Sequence, residues 1–501
     1  MKVFSTFSGI SAASLALKPF GFEIAAYAEP DPECAWVLHH RLGTGRPEYL
    51  PKPDDPVLLD RLKKANARLR RAACDHRFKR ITNEKLLGLS KRSDLDADIK
   101  ARLGGLETEL RDWKRISGEI ENRRRVQKRA SEIPDTGASG ILNLGDVTQI
   151  TDDDLKALGH IDVLEGGPPC QAFSVAGNRQ GMSDDRGNLS LVFCRLAERM
   201  RRTNGTRYVI FENVPATLDL ADNSFGCILA SLVGERSGPL FPPGRGWPDS
   251  GHCVGVGGRS VAWRVLDSRY FGLPQRRRRL FVIADLGGER AAEILFEPAS
   301  GPRDPVSGPT SWAGSTTGTA SGFGESHGDR FSLKNKGHGS DLKFYDECSS
   351  TGIKSAAGFH QGNSSRSRTI GFQTEMAPTL KSASSGTNMT PAVLIKTTAG
   401  QIVRKLTPRE CERAQGFPDD WTLVPTQNDE LMADTNRYQM IGNSITVPVL
   451  AYIGERIMAA DCGRLKEVNR RGRTRFSCGY PDAAKKQTLS DGKFLSRTVK
   501  A

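Results

Sequence analysis

A short apolar run, Ile161-Asp162-Val163-Leu164, stops abruptly at Gly166-Gly167-Pro168-Pro169-Cys170-Gln171-Ala172-Phe173-Ser174. The run reads as a buried strand. Two glycines and two prolines then force a tight, stiff loop. A cysteine is thereby held just beyond the end of a strand, and open α/β sheets bind their ligands beyond the carboxyl ends of their strands. A lone free cysteine is more often a small core hydrophobe than a nucleophile. The rest of the chain therefore decides what Cys170 is.

The chain has 501 residues, enough for about two to four domains with a sizeable core. Its formal net charge of +14 favours an anionic partner, nucleic acid first and an acidic membrane surface second. No apolar stretch approaches the ~20 residues of a membrane-spanning helix. Met1 to Gly9 carries no secretory pattern and leads directly into a strand. The ten cysteines form no Cys-x-x-Cys pair, which argues against a metal site and against a disulfide framework. A reactive free thiol suits a reducing cytoplasm.

Residues 3–29 read as strand (Val3 to Phe7), small-residue loop (Ser8 to Ala13), helix and strand (Phe22 to Tyr27). This is half of a nucleotide-binding unit. Residues 51–137 differ. Leu58, Leu62, Ala65, Leu69 and Ala72 recur at helical spacing, as do Leu95, Ile99, Leu103, Leu106, Leu110, Trp113, Ile116 and Ile120. Two long helices packed as an antiparallel coiled-coil hairpin are expected. Pro51-Lys52-Pro53 and Ile133-Pro134-Asp135-Thr136-Gly137 bracket them like hinges. Lys63-Lys64, Arg70-Arg71 and Arg123-Arg124-Arg125 make this either an arm that grips DNA or a partner, or a solvated structural insertion. The α/β pattern resumes at Ile141, with strands at Ile161–Leu164, Tyr208–Phe211 and Arg279–Ala284. From Gly287 the composition turns to Gly, Ser and Thr, as in a loop-rich second domain with short strands such as Ala392–Ile395. Residues 404–460 look folded again, and the tail from Asp461 is basic and irregular.

Several strands end in a polar group. Gly9 follows the first, and Glu29 ends the second about 20 residues later, a spacing that suits an acid on a ribose hydroxyl. Asp146 could accept from an adenine amino group. The Gly-x-Gly-x-x-Gly pattern is absent, with Ser11 and Ala12 where glycines are usual. A pyrophosphate cradle is therefore not expected. A nucleoside cofactor without phosphates fits better, S-adenosylmethionine being the obvious one. Glu212-Asn213-Val214 follows Tyr208–Phe211 and reads either as a pocket wall or as a helix N-cap region. In Gln275-Arg276-Arg277-Arg278-Arg279, alternation puts Arg277 and Arg279 on one side. The run is either a surface basic patch or a pair of arginines entering a site.

Taken in order, these segments resemble the DNA (cytosine-5)-methyltransferase family of bacterial and phage type. The resemblance rests on Phe7-Ser8-Gly9-Ile10, Glu29, Asp146, the Pro-Cys-Gln loop, Asp185-Arg186-Gly187-Asn188-Leu189, Glu212-Asn213-Val214 and the arginine run. Arg404 to Glu410, Gln415-Gly416-Phe417-Pro418 and Gly442-Asn443-Ser444 complete it. It implies a Rossmann-like S-adenosylmethionine-dependent methyltransferase sheet, α/β in class, with the helical insertion at 51–137. The catalytic domain would be 1–50 and 138–286, completed by about 430–460. The small target-recognition domain would be 287–429, and 461–501 a basic tail. It implies Cys170 as the nucleophile on cytosine C6 and Gln171 in a loop that closes over the flipped base. Glu212 would act on N3 and the exocyclic amine, Arg279 would hold O2, Arg277 would fix Arg279 or the base, and Asn213 would orient the pocket. Phe7, Ser8, Gly9, Ile10, Glu29, Asp146, Pro169, Asn443 and Ser444 would hold the cofactor, with no metal. Implied partners are double-stranded DNA and a cognate restriction endonuclease, with the protein a monomer in its host's cytoplasm. A relative acting on tRNA and a catalytically silent DNA-binding regulator are the rival readings.

Overall fold

Alternating burial along the strands decides the architecture. In β1 (Lys2–Thr6) Val3 enters the core on one face and Phe4 the core on the other. The same alternation recurs in the later strands of the sheet, so helices must cover both faces. In the computed structural model the described residues are 1–73, 97–169, 189–255, 257–297, 353–359, 373–374, 376–380, 391–397, 400–426, 429–463 and 475–477.

After β1 come α1 (Ala12–Leu17), β2 (Glu23–Ala28) and α2 (Pro32–Leu42). The helical insertion follows as α3 (Pro56–Ala73) and α4 (Ala97–Ala130). The chain returns through β3 (Leu142–Asn143), α5 (Asp152–Leu158), β4 (Val163–Gly166), α6 (Leu189–Thr203), β5 (Tyr208–Asn213) and α7 (Ser224–Val233). Next are β6 (Ser250–Val254), β7 (Ser260–Asp267), β8 (Arg278–Asp285) and α8 (Ala291–Leu295). A separate four-stranded sheet holds β9 (Ile353–Phe359), β10 (Gln373–Thr374), β11 (Ala392–Thr397) and β12 (Gly400–Lys405). Helices α9 (Pro408–Gln415), α10 (Asp434–Asn443) and α11 (Val447–Asp461) precede the last strand, β13 (Arg475–Ser477).

The main sheet has nine strands in the order β13-β6-β7-β8-β5-β4-β1-β2-β3. Strands β3, β2, β1, β4 and β5 are parallel, and the pairs β5–β8, β8–β7 and β7–β6 are antiparallel. The chain leaves β1 outward to β2 and β3, then returns to the other side of β1 as β4. The switch point thus lies between β1 and β4, where a crevice opens beyond the carboxyl ends. Because β8 is antiparallel to β5, its first residues arrive at that same edge, with Leu280 opposite Asn213.

The insertion is the expected hairpin. Leu58, Ala65, Ile116 and Ile120 form its small core. Arg123 meets Asp55 at its root (3.5 Å), and Arg68 meets Glu109 (2.8 Å) and Asp112 (2.5 Å) further out. Partners therefore climb α3 as they descend α4, which fixes the antiparallel register. The flanking segments read as hinges are stitched together: Arg46 N donates to Pro134 O and Ser139 N to Gly43 O, each at 2.9 Å. The tail is not wholly irregular, since β13 pairs in parallel with β6 at the sheet edge. Among the described residues no helix is long and apolar enough to cross a membrane.

Candidate active site

The first strand ends at Thr6, one residue earlier than its apolar run, because Phe7 turns to φ 50°. Gly9 (φ 52°) and Ser11 (φ 56°) are also left-handed. That conformation is rare for a serine. Here the buried Ser11 caps α1, its Oγ accepting from Ser14 N at 3.3 Å and meeting Ser14 Oγ at 2.7 Å. The loop is tied to β2 by Glu29, whose Oε2 accepts from Gly9 N at 2.7 Å and whose Oε1 accepts from Asp31 N at 2.9 Å. Burial, then the nearby Asp31 charge, push the Glu29 carboxyl up to about 7. Ser8 Oγ donates to Ser5 O at 2.8 Å, and Ile10 is buried. Asp146 holds its own turn, accepting from Thr148 N (3.0 Å), Thr148 Oγ1 (2.8 Å) and Gln149 Nε2 (3.1 Å).

The glycines after β4 are required by close approach. A Cβ at Gly166 would collide with Thr6 Oγ1 and lie 2.8 Å from the Phe193 ring. A Cβ at Gly167 would lie 2.9 Å from Glu212 Oε2. The loop root is thus pressed against β1 on one side and the Glu212 carboxyl on the other. Asn213 Nδ2 donates to Pro168 O at 3.1 Å. Asn213 therefore fastens the loop rather than capping the following helical turn, which has no side-chain cap. Pro169 is exposed at the end of the described root. Cys170, Gln171 and the segment Asp185–Asn188 lie outside the described residues.

Glu212 is buried, and Arg279 reaches it with Nε 3.1 Å from Oε1. Burial raises the Glu212 carboxyl above the usual range, opposed by the charges of Arg279 and Arg277. Arg276 and Arg278 are exposed while Arg277 is buried and Arg279 partly so, as alternation requires. Arg277 does not reach toward Glu212 with hydrogen bonds. Its Nη1 donates to Leu380 O (3.1 Å), and its Nη2 to Gly442 O (3.0 Å) and Ser444 O (2.7 Å). Burial first, then the Arg279 charge, lower its guanidinium to about 9. Arg277 is thus a clamp joining the sheet to Leu380 and to the C-terminal end of α10. Asn443, the last residue of α10, is exposed, and Ser444 is buried with Oγ donating to Ile445 O at 3.2 Å. The smaller sheet is joined here too: Ala377 N donates to Pro274 O (2.8 Å) and Arg276 N to Ala377 O (3.0 Å).

The site therefore gathers Phe7 to Ile10 and Glu29 on one side of the switch point. On the other it gathers the Gly166–Pro169 root with Glu212, Asn213 and Arg279. Glu165 was not singled out by the sequence, although a carboxylate inside a strand whose residues are all buried was the available signal. Among the described residues no cluster of three or more His, Cys, Asp or Glu could hold a metal ion.

The fold and site define a Rossmann-like α/β protein with titratable side chains gathered at the strand ends. The family model described as C-5 cytosine-specific DNA methylase matches residues 96–232 and 257–459. The chain belongs to that family. It is similar to a protein named DNA N-6-adenine-methyltransferase from Escherichia phage P1, 32% identical over 432 residues, covering 65% of this chain and 56% of that protein. It is similar also to Type II methyltransferase M2.BsuMI of Bacillus subtilis, 28% identical, covering 62% of this chain and 64% of that one. Type II methyltransferase M.HpaII of Haemophilus parainfluenzae is 27% identical, with 64% and 77% covered. The chain spans less than two thirds of the length of the first two relatives.

Proposed function

We propose that this protein transfers a methyl group from S-adenosylmethionine to C5 of a cytosine flipped out of duplex DNA, at a specific sequence. The observation that carries this reading is the join between Asn213 and Pro168. It fastens the Gly166–Pro169 root, which leads into Cys170, to the strand end where Glu212 meets Arg279.

Cytosine C5 is too weak a nucleophile to take a methyl group unaided. The Cys170 thiolate adds to C6. Glu212 gives a proton to N3 as the ring accepts the electron pair, which requires a carboxyl protonated near neutral pH. Arg279 holds O2, and Gln171 closes with its loop over the base. Once C5 is methylated, N3 returns its proton to Glu212, and loss of the C5 proton to solvent expels Cys170 as thiolate and restores the ring. The target base leaves the helix because its C6 is inaccessible within the stack.

The residues beyond β1 and β2 fit a nucleoside. Nothing lies within 4 Å of a Cβ built on Gly9, so the loop leaves open space at that position. Glu29 accepts two backbone bonds and keeps lone pairs for ribose hydroxyls. Phe7, Ser8, Gly9, Ile10, Glu29, Asp146, Pro169, Asn443 and Ser444 would hold the cofactor. When bound, S-adenosylmethionine supplies an electrophilic methyl group.

The 287–429 region reads base edges, and the 51–137 arm grips phosphates. Twelve exposed Lys and Arg side chains outnumber four exposed Asp and Glu among the described side chains of 51–73 and 105–137. The same reading makes the protein a monomer in its host's cytoplasm, with a restriction endonuclease as its counterpart.

Expression in a bacterium lacking cytosine methylation tests the reading, with nucleoside analysis and bisulfite sequencing of the DNA. The expected result is 5-methylcytosine in one sequence context, lost in Cys170→Ala while cofactor binding persists. N6-methyladenine instead would favour the activity named for the phage P1 relative. Greater transfer to tRNA than to DNA would reverse the choice of substrate.

A further inference from the structure

We propose that Glu165 is a positioning carboxyl that keeps a proton available on Glu212 although Arg279 pairs with it. The proposal rests on the role assigned to Glu212 above.

Glu165 lies in the middle of the sheet. Its neighbours across the strands are Ser5 on β1 and Ile210 on β5. Glu212 stands two residues beyond Ile210, hence on the same sheet face and diagonal to Glu165. Diagonal neighbours are about 7–8 Å apart, within reach of two long side chains. The Glu212 carboxyl also lies over Gly167, the next position of β4's chain on Glu165's own face, as the 2.9 Å approach shows. Two carboxyls are thus enclosed on one face with no side chain at Gly167 to part them.

Glu165 is 3% exposed, and the group that hydrogen-bonds its carboxyl is neutral: Ser5 Oγ donates to Oε2 at 2.7 Å. No cation lies within ion-pair distance of it among the described residues. Arg279 is engaged by Glu212 and Arg277 by carbonyl oxygens. The titratable side chains that act on it are Glu212 from β5 and Tyr27 from β2. From β1 and α1 come only hydroxyls, those of Ser5, Ser11 and Ser14, and α11 turns Val447, Val449, Leu450 and Ile453 inward. Burial, with the Glu212 charge adding, pushes the Glu165 carboxyl up to about 7, against the Ser5 bond.

Arg279 alone would favour ionised Glu212, which has no proton to give to N3. A second buried carboxyl opposes that, because two close carboxylates do not both ionise easily. The pair sheds its protons in two steps, and Glu212 stays protonated to higher pH than it would beside Arg279 alone. Glu165 itself touches no substrate.

Glu165→Gln keeps the shape and the acceptor for Ser5 but removes the charge. The expected result is an alkaline limb of kcat/KM for DNA displaced to lower pH by about one unit, hence about tenfold lower activity on that limb. Activity on the acidic side and cofactor affinity should be unchanged. A superimposable pH profile, or a loss uniform across pH, overturns the proposal. If thermal unfolding shows the variant misfolded, Ser5→Ala serves instead. It removes the donor that favours ionised Glu165 and must move the limb the same way, and an unmoved limb again overturns the idea. A wild-type chain making no 5-methylcytosine at any pH counts against the role of Glu212. An active wild type whose limb ignores Glu165 counts against this inference alone.

Discussion

Arg277 offers the sharpest test of how the site is assembled. Three carbonyls, from Leu380, Gly442 and Ser444, share its two terminal nitrogens at 2.7–3.1 Å. Hydrogen bonds to a charged group contribute about 1.5–3 kcal/mol each, so about 4–9 kcal/mol in all. Burying the ion opposes this. The fall of its guanidinium from 12.5 to about 9 corresponds to about 5 kcal/mol. The net loss expected for Arg277→Met is about 2 kcal/mol, a fall in Tm of roughly 4–8 °C. Differential scanning calorimetry near neutral pH measures it. Because two of the carbonyls flank Asn443, calorimetric titration should also show weaker S-adenosylmethionine binding. Arg277→Lys should recover little, since one ammonium on a flexible stem does not match the planar fork. An unchanged Tm together with abolished methyl transfer would refute the clamp and make Arg277 a contact to the base.

Three further outcomes follow from the geometry. Ribose hydroxyls donate best to ionised Glu29, whose carboxyl sits at about 7. Cofactor affinity should therefore be present above that pH and fall as pH drops through it, by about tenfold per unit; titration from about pH 5.5 to 8.5 would show a flat profile for Glu29→Gln. Gly167→Ala places a methyl group 2.9 Å from Glu212 Oε2, so single-turnover transfer should slow by about 10- to 100-fold with cofactor affinity intact. Neutralising Arg61, Lys63, Lys114 and Arg124 on the arm should lower the slope of log affinity for DNA against log salt by about 0.9 for each phosphate the arm no longer neutralises. An unaltered slope would leave the arm a structural insertion.

The parts legible in the sequence are those whose signal is local. β1, β4, β5 and β8 show as apolar runs flanked by Gly, Glu-Asn or Arg, because a strand buried on both faces of the sheet must be apolar along its length. The arm shows through its three- and four-residue spacing. β6 does not, since Ser250-Gly251-His252-Cys253-Val254 is mostly part-exposed at its edge of the sheet. β13 pairs with β6, and its sequence, Arg475-Phe476-Ser477, carries no apolar run to announce it. At the site, Glu212 and Arg279 are legible from their places at strand ends. The clamp made by Arg277 is not, because its three partners lie more than a hundred residues further along the chain. Glu165 escapes for another reason. One polar residue among apolar ones reads as ordinary strand alternation, and only the register reveals that it faces inward toward a second carboxyl.

The stiffness of the Gly-Gly-Pro-Pro segment traces to forces acting on its root. Gly166 lets β4 close against Thr6 and Phe193, and Gly167 leaves room for the Glu212 carboxyl. Asn213 then holds the Pro168 carbonyl, and proline at 168 and 169 fixes φ along the exit. In the proposed mechanism a thiolate meeting C6 of an extruded base gains from this, since reacting atoms need to be held about 3–3.5 Å apart in the right orientation. The same contacts bind Glu212, the proposed proton donor, to the loop root. Whatever moves Glu212 moves the Gly167–Pro168 root with it, so the proposed acid and the root of the proposed nucleophile's segment are held as one unit. Mutations at Gly167 and Asn213 should therefore act non-additively on methyl transfer, whereas either combined with Glu29→Gln should be additive.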